Sequence, residues 1–129
     1  MIIDTSAIVA LIRDEPEAPN LAVHLERAAT VGVGSPTLVE TGIVLCGRLG
    51  PAGETLLARF VEEREILVIP FGQEHWPVAI SAFLRFGKGR HPARLNLADC
   101  MSYATARLAG EPLLCIGNDF AQTDLPLVS

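Results

Sequence analysis

The chain has 129 residues, half of them hydrophobic, with ten Lys and Arg against fifteen Asp and Glu for a net charge of −5. That length suits one domain over residues 1–129, and so apolar a composition excludes a disordered chain. The negative charge excludes nucleic-acid binding through bulk electrostatics, so such a partner would need a local cationic patch and divalent cations offsetting the acids.

No apolar run approaches the ~20 residues of a membrane span. Met1-Ile2-Ile3-Asp4 predicts a strand from the first residue, which leaves no room for a signal peptide and makes the cytoplasm the expected location. A short strand buried on both faces is typical of a parallel sheet. Asp4 then sits at the strand's carboxyl end, where open α/β sheets place their ligands. Equally, Asp4 or Thr5 could cap the helix that Ile8, Leu11 and Ile12 predict. Asp14-Glu15-Pro16 ends that helix, because proline disfavours helical geometry in the residue before it. Leu21, Ala22, Leu25 and Ala28 mark the buried side of a second helix.

Val31 to Ser35 predicts a second strand, and Ser35-Pro36 a helix start with serine as N-cap and proline at the first helical position. In the helix from Pro36 to Leu49, apolar residues wrap most of the circumference and Glu40 and Arg48 are the only charges. Glu40 is therefore expected to be at least partly buried, which is costly unless something offsets it. A salt bridge to Arg48 or Arg13 would serve, and so would a bound metal.

Gly50-Pro51 and Gly53 predict a turn, Thr55 to Glu65 an exposed helix, and Ile66 to Ile69 a third strand closed by Pro70. Trp76, Ala79, Ile80 and Phe83 predict a helix, with Trp76 in the core or at a dimer contact. A loop follows in which Arg85, Lys88, Arg90 and Arg94 fall within ten residues that contain no acid. It runs into a helix where Leu97, Met101, Ala104 and Leu108 are expected to form the core face. Asp99 lies roughly 200° around from Leu97 and is expected off that face, in solvent. As a structural role, Asn96 could be the N-cap and Asp99 the acid that complements the helix dipole.

Gly110 ends this helix and Leu113 to Ile116 predicts a fourth strand. Gly117-Asn118-Asp119-Phe120 turns off its carboxyl end, repeating the placement of Asp4, and a last short strand is expected near Leu127-Val128. Cys46, Cys100 and Cys115 lack metal-ligand spacing and are expected as buried free thiols.

Alternating strands and helices predict an α/β fold, a parallel sheet of about four to five strands flanked by helices. Parallel strands aim Asp4, Glu40, Asp99 and Asp119 toward one sheet edge, where they would repel unless cations joined them. Oxygen-only ligands favour Mg²⁺, with Mn²⁺ as a substitute, over zinc. Such a cluster can hydrolyse phosphodiesters, because the cation polarises phosphoryl oxygens and stabilises the leaving oxygen. The cationic residues Lys88, Arg90 and Arg94 are placed to hold phosphates beside the scissile one.

In their order and spacing, Ile2-Ile3-Asp4-Thr5-Ser6-Ala7, Ser35 with Glu40, Gly87-Lys88-Gly89-Arg90-His91, Leu95-Asn96 with Asp99-Cys100, and Gly117-Asn118-Asp119-Phe120 cover essentially the whole chain. In these segments it resembles the PIN-domain ribonucleases, and within them the VapC-type toxins of bacterial toxin–antitoxin systems. The resemblance implies a single PIN-like domain and a Mg²⁺-dependent endoribonuclease. Asp4, Glu40, Asp99 and Asp119 would form its catalytic and metal site, with Thr5, Ser6 and Asn96 in support. It also implies an RNA substrate, a cognate VapB-type antitoxin and a homodimer. Two positions depart from the family pattern: Ala98 stands where glycine is common, and Asn118 where many relatives have another acid. The second departure leaves open whether Asp119 alone fills the fourth corner or Asp124 assists.

Other classes fit less well. An aspartyl-phosphate phosphatase needs a second Asp where Ser6 stands, and a receiver domain needs a late lysine, whereas the only lysine is Lys88. A structure-specific DNA nuclease would need more chain for its clamping elements. The alternative from another class is a non-catalytic binding module that keeps the acidic site.

Overall fold

The computed structural model describes residues 1–129. In chain order the elements are β1 (Ile2–Ile3), α1 (Thr5–Ile12), α2 (Ala18–Arg27), β2 (Gly32–Gly34), α3 (Ser35–Leu49) and α4 (Ala52–Glu63). Then follow β3 (Leu67–Ile69), α5 (His75–Phe86), α6 (Leu97–Ala109), β4 (Leu113–Leu114) and a 3₁₀ turn at Phe120–Gln122. The four strands form one parallel sheet in the order β3-β2-β1-β4. The expected fifth strand is reduced to a single bridge between Leu113 and Leu127.

β1 explains the two-layer cover. Ile2 and Ile3 point to opposite faces, as successive strand residues must, and each is the centre of a separate core. Ile3 packs with Ile8, Leu21, Val33, Leu45 and Leu114 under α1 to α4. Ile2 packs with Phe86, Leu95, Tyr103 and Leu113 under α5 and α6. Covered on both faces, the strands have no need for a polar side. The outer strand β3 is the exception, with Leu67 and Val68 exposed.

Three expectations are corrected. Gly34, not Ser35, is the N-cap of α3, so Ser35 and Pro36 already lie in its first turn. Trp76 is exposed rather than buried in the core. On α6 the core face is rotated from the one predicted: Leu97 is 77% exposed and Leu108 44%, while Cys100, Ser102, Tyr103, Ala104, Thr105 and Ala106 are buried. The reason is that α6 is wedged between α5 on one side and α3 and β2 on the other. Close helix and strand approach selects small side chains there. A Cβ on Gly34 of β2 would meet Thr105 Oγ1 at 2.7 Å, which shows how tightly α6 crosses that strand. The large apolar residues of α6 are thus left outside. Leu97 and Leu108 are exposed, as are Ile80, Phe83 and Leu84 of α5.

The thiols are only partly as expected, since Cys100 is buried but Cys46 and Cys115 are half-exposed; all three are free.

Candidate active site

Asp4 follows directly on β1 and is the N-cap of α1, its side chain accepting from the Ser6 N–H. The capping role and the ligand role are compatible, because a carboxylate has more lone pairs than one cap uses. Asp4 is only 6% exposed. Its Oδ2 accepts from the Ser6 N–H at 3.2 Å and from the Ser6 hydroxyl at 2.9 Å. Its Oδ1 accepts from the Ser102 hydroxyl at 2.9 Å. Ser6 Oγ in turn accepts from the Ile116 N–H at 3.0 Å, which fastens the segment after β4 to the same corner.

Thr5 faces away from Asp4 and into a buried hydroxyl group. Its Oγ1 lies 2.9 Å from Thr41 Oγ1, and the Thr41 hydroxyl donates to the Thr37 carbonyl at 2.7 Å. Thr5 therefore locks α1 to α3 and does not reach the acids.

Asp99 closes the capping box that the Asn96 spacing suggests. Asn96 Oδ1 accepts from the Asp99 N–H at 2.8 Å, and Asp99 Oδ2 accepts from the Asn96 N–H at 3.1 Å. Contrary to expectation Asp99 is half-buried rather than solvated, a consequence of the rotation of α6. Burial, the largest influence, pushes its carboxyl up to about 6. The hydrogen bond from Asn96 opposes this, and the charges of Asp4, Glu40 and Asp119 add to it.

Glu40, in the second turn of α3, is half-buried as expected. Neither Arg48 nor Arg13 offsets its charge: the ion pairs in the structure are Met1–Glu111, Arg85–Asp124 and Arg107–Asp124. Asp119 is exposed at the start of the 3₁₀ turn after β4. All four acids are close enough for three of them to act on the fourth. Cys115 sits beside them, its thiol pushed up to about 12 by burial first and then by Asp4, Asp99 and Asp119. It is thus a neutral thiol near pH 7.

Asp124 belongs elsewhere. Its Oδ1 accepts from the Tyr103 hydroxyl at 2.6 Å and pairs with Arg107 at 2.9 Å, while its Oδ2 pairs with Arg85 at 3.0 Å. Burial pushes this carboxyl up, but Tyr103 and the two guanidiniums outweigh it and hold the group below the usual carboxylate range. Asp119, not Asp124, is among the acids that act on Asp99. Asp124→Asn is expected to leave Mn²⁺ affinity unaltered while lowering stability by ~1 kcal/mol, the scale of half-exposed ion pairs. Calorimetric titration beside a thermal melt checks both, and a lost Mn²⁺ site would return Asp124 to the acid cluster.

The cationic loop is tied down rather than free. Lys88 N–H donates to the Leu95 carbonyl at 2.9 Å, Leu95 N–H to Phe86 at 3.0 Å, and Arg90 and His91 N–H groups both reach Gly87. Gly89 and Arg94 take positive φ to make the turns. Lys88, Arg90 and Arg94 are exposed and unpaired with acids. The Arg90 guanidinium lies 5.4 Å from the centre of the Phe83 ring. Arg85 is committed to Asp124 instead.

The donor set fits a hard divalent cation: four carboxylates, no imidazole, and the two nearby thiols, Cys100 and Cys115, protonated. No three of these acids stand within ligating reach of one point. Ser102 and Thr37, the buried hydroxyls next to Asp4, went unnoticed in the sequence. The i, i+3 spacing from Asp99 to Ser102 was the available signal, since it puts both residues on adjoining faces of one helix.

Comparison with known proteins agrees with the fold. The family model described as PIN domain matches residues 1–125. Ribonuclease VapC36 of Mycobacterium tuberculosis is 49% identical over 126 residues, covering 97% of this chain and 91% of that protein. Among solved structures, Mycobacterium tuberculosis VapC20, titled a sarcin-ricin loop cleaving toxin, superposes with a TM-score of 0.80 at 19% identity, covering 98% of this chain and 97% of that one. VapBC2 from Rickettsia felis, bound to a DNA fragment from its promoter, gives 0.77 at 14% identity, covering 98% and 96%. The two superpositions speak for the fold, the sequence matches for descent, and together they show that the chain belongs to the PIN-domain family and, within it, to the VapC ribonucleases.

Proposed function

We propose that the chain is a Mg²⁺-dependent endoribonuclease toxin whose site is Asp4, Glu40, Asp99 and Asp119. The observation that carries this is their convergence: three acids act on Asp99, and Glu40 is half-buried without a basic partner. A fold does not keep unneutralised carboxylates together for stability, so the arrangement anticipates a cation.

Asp4 and Asp99 would hold the cation, since both are fixed by hydrogen bonds on rigid elements. Glu40 and Asp119 would complete the set from α3 and from the turn after β4. When bound, Mg²⁺ (or Mn²⁺ in its place) would polarise a phosphoryl oxygen and stabilise the leaving oxygen. Lys88, Arg90 and Arg94 precede Asp99 on the pinned loop and would hold the flanking phosphates, which position RNA without reading its sequence.

The exposed residues Trp76, Ile80, Phe83 and Leu84 of α5, with Leu97 of α6, supply the apolar surface for a homodimer. Structures of the same fold solved as toxin–antitoxin complexes support a VapB-type antitoxin as restraint. No helix is long and apolar enough to cross a membrane.

The test is cleavage of total RNA by the purified chain. Cleavage is expected with Mg²⁺, to cease in chelator, and to be absent in Asp4→Asn. In that inactive background, removing Lys88 and Arg90 should reduce the slope of log K against log salt by ~0.7 per lost contact. Cleavage that survives Asp4→Asn would sink the site assignment, and an unchanged slope would place RNA away from the loop.

A further inference from the structure

The oxygen atoms of Asp4 are not equivalent. Oδ2 receives two donors, both from Ser6, and is saturated. Oδ1 receives one, from Ser102, so one of its lone pairs is left over. The Ser102 hydroxyl is the donor in its bond to Oδ1, so its single proton is spent there. Ser102 Oγ lies 3.1 Å from Thr37 Oγ1 and has no second proton to give, so the Thr37 hydroxyl is the donor in that pair. The chain of hydroxyls therefore has one direction, from Thr37 to Ser102 to Asp4. Ser102 is 1% exposed and Thr37 3%, so water cannot stand in for either.

We propose that Ser102 is a positioning residue: held by Thr37, it fixes Asp4 Oδ1 so that the remaining lone pair faces the acid cluster as a cation ligand. This rests on the metal reading of the four acids and adds to it a named ligand atom. The same two hydroxyls join the helix that carries Glu40 to the helix that carries Asp99. Thr37 is three residues before Glu40 in α3, and Ser102 three after Asp99 in α6. The relay thereby sets the spacing of three ligand-bearing elements. Outer partners that orient a ligating carboxylate are worth ~10–100-fold in metal affinity.

The probe is Mn²⁺ alone, titrated calorimetrically into the full chain. Ser102→Ala and Thr37→Val are each expected to weaken Mn²⁺ binding by ~10-fold or more. Thr37→Ser, which keeps the hydroxyl, should restore wild-type affinity. Thr105→Ala is the control for mere destabilisation. Thr105 is as buried as Ser102 on the same helix, but its hydroxyl donates to the Met101 carbonyl at 3.0 Å and lies outside the relay. It should lower Tm yet leave the Mn²⁺ Kd unchanged. If wild type binds Mn²⁺ and Ser102→Ala binds it equally, the relay is wrong and the metal site stands. If Thr105→Ala weakens Mn²⁺ as much as Ser102→Ala, the effect is packing and the relay is wrong too. If wild type binds no Mn²⁺, the metal reading falls and takes the relay with it.

Discussion

Asp99→Asn is expected to melt above wild type in chelator at pH 7.5 and below it with saturating Mn²⁺. Burial and three neighbouring acids raise the Asp99 carboxyl from 3.8 to about 6, so the metal-free fold holds this proton to a higher pH than the unfolded chain does. For an acid shifted upward, folding carries no penalty from this group below the ordinary carboxylate range. The penalty grows as pH rises through about 6 and is complete above it. At about 1.4 kcal/mol per unit, it is at most ~3 kcal/mol at neutral pH. Asparagine cannot ionise but can still accept from the Asn96 N–H, so it keeps the capping box and loses the repulsion. After the lost helix-dipole term of ~0.5 kcal/mol is subtracted, a gain of ~1–2 kcal/mol remains. Mn²⁺ reverses the order, because only wild type gains RT ln(1 + [L]/Kd). Melts from pH 4 to 8, with and without Mn²⁺, check this. Parallel curves for the two proteins would mean that Asp99 carries no such strain.

Gly53→Ala should be among the costliest single-methyl changes in the chain, because it drives α4 off α3. A Cβ there would lie 2.6 Å from both the Leu45 carbonyl carbon and the Cys46 nitrogen, and 2.8 Å from the Leu45 oxygen. These are backbone atoms of a helix and cannot rotate away. Overpacking of this kind costs ~3 kcal/mol or more. The matched control is Gly47→Ala in the exposed part of α3, where nothing lies within 4 Å of the added carbon. That change should stabilise by ~0.5–1 kcal/mol through helix propensity. Opposite shifts in urea midpoint are the expected result, with a loss of ~10 °C in Tm for Gly53→Ala. Shifts of the same sign would show that α4 can slide on α3 without cost.

What the sequence discloses and what it hides divide along a physical line. Parallel sense and the carboxyl-end placement of Asp4 and Asp119 follow from alternating βα units, whereas the strand order β3-β2-β1-β4 is given only by the structure. Glu40 stands out in the sequence as a charge on an apolar helix, but only the structure shows that neither Arg13 nor Arg48 pairs with it. Polar partners of those acids are harder to see: Ser102 and Thr37 look like ordinary helix residues until α3 and α6 are brought together. The face of α6 was misjudged for a related reason. Apolar periodicity assumes that large residues face the core, but a helix squeezed between two neighbours buries Cys100, Ala104 and Ala106 and sheds Leu97. Asp124 could not be separated from Asp119 by spacing alone, since Arg85, Tyr103 and Arg107 claim it only in three dimensions.

The hydrogen bond from Ser102 to Asp4 spans 98 residues of chain. Ribosomes deliver ~5–20 residues per second, so Asp4 is exposed for roughly 5–20 s before its last donor is made. During that interval β1 can pair with β2, but its other edge must wait for β4. Neither α6 nor the turn that carries Asp119 yet exists. A nascent chain therefore carries the first acid of the cluster without the means to orient it, and the four acids can come together only after Asp119 has been made. If the acid cluster is the site proposed above, then for a nuclease made amid the RNA of its own ribosome the order of strands in the sheet would act as a delay on activity, built into the topology itself.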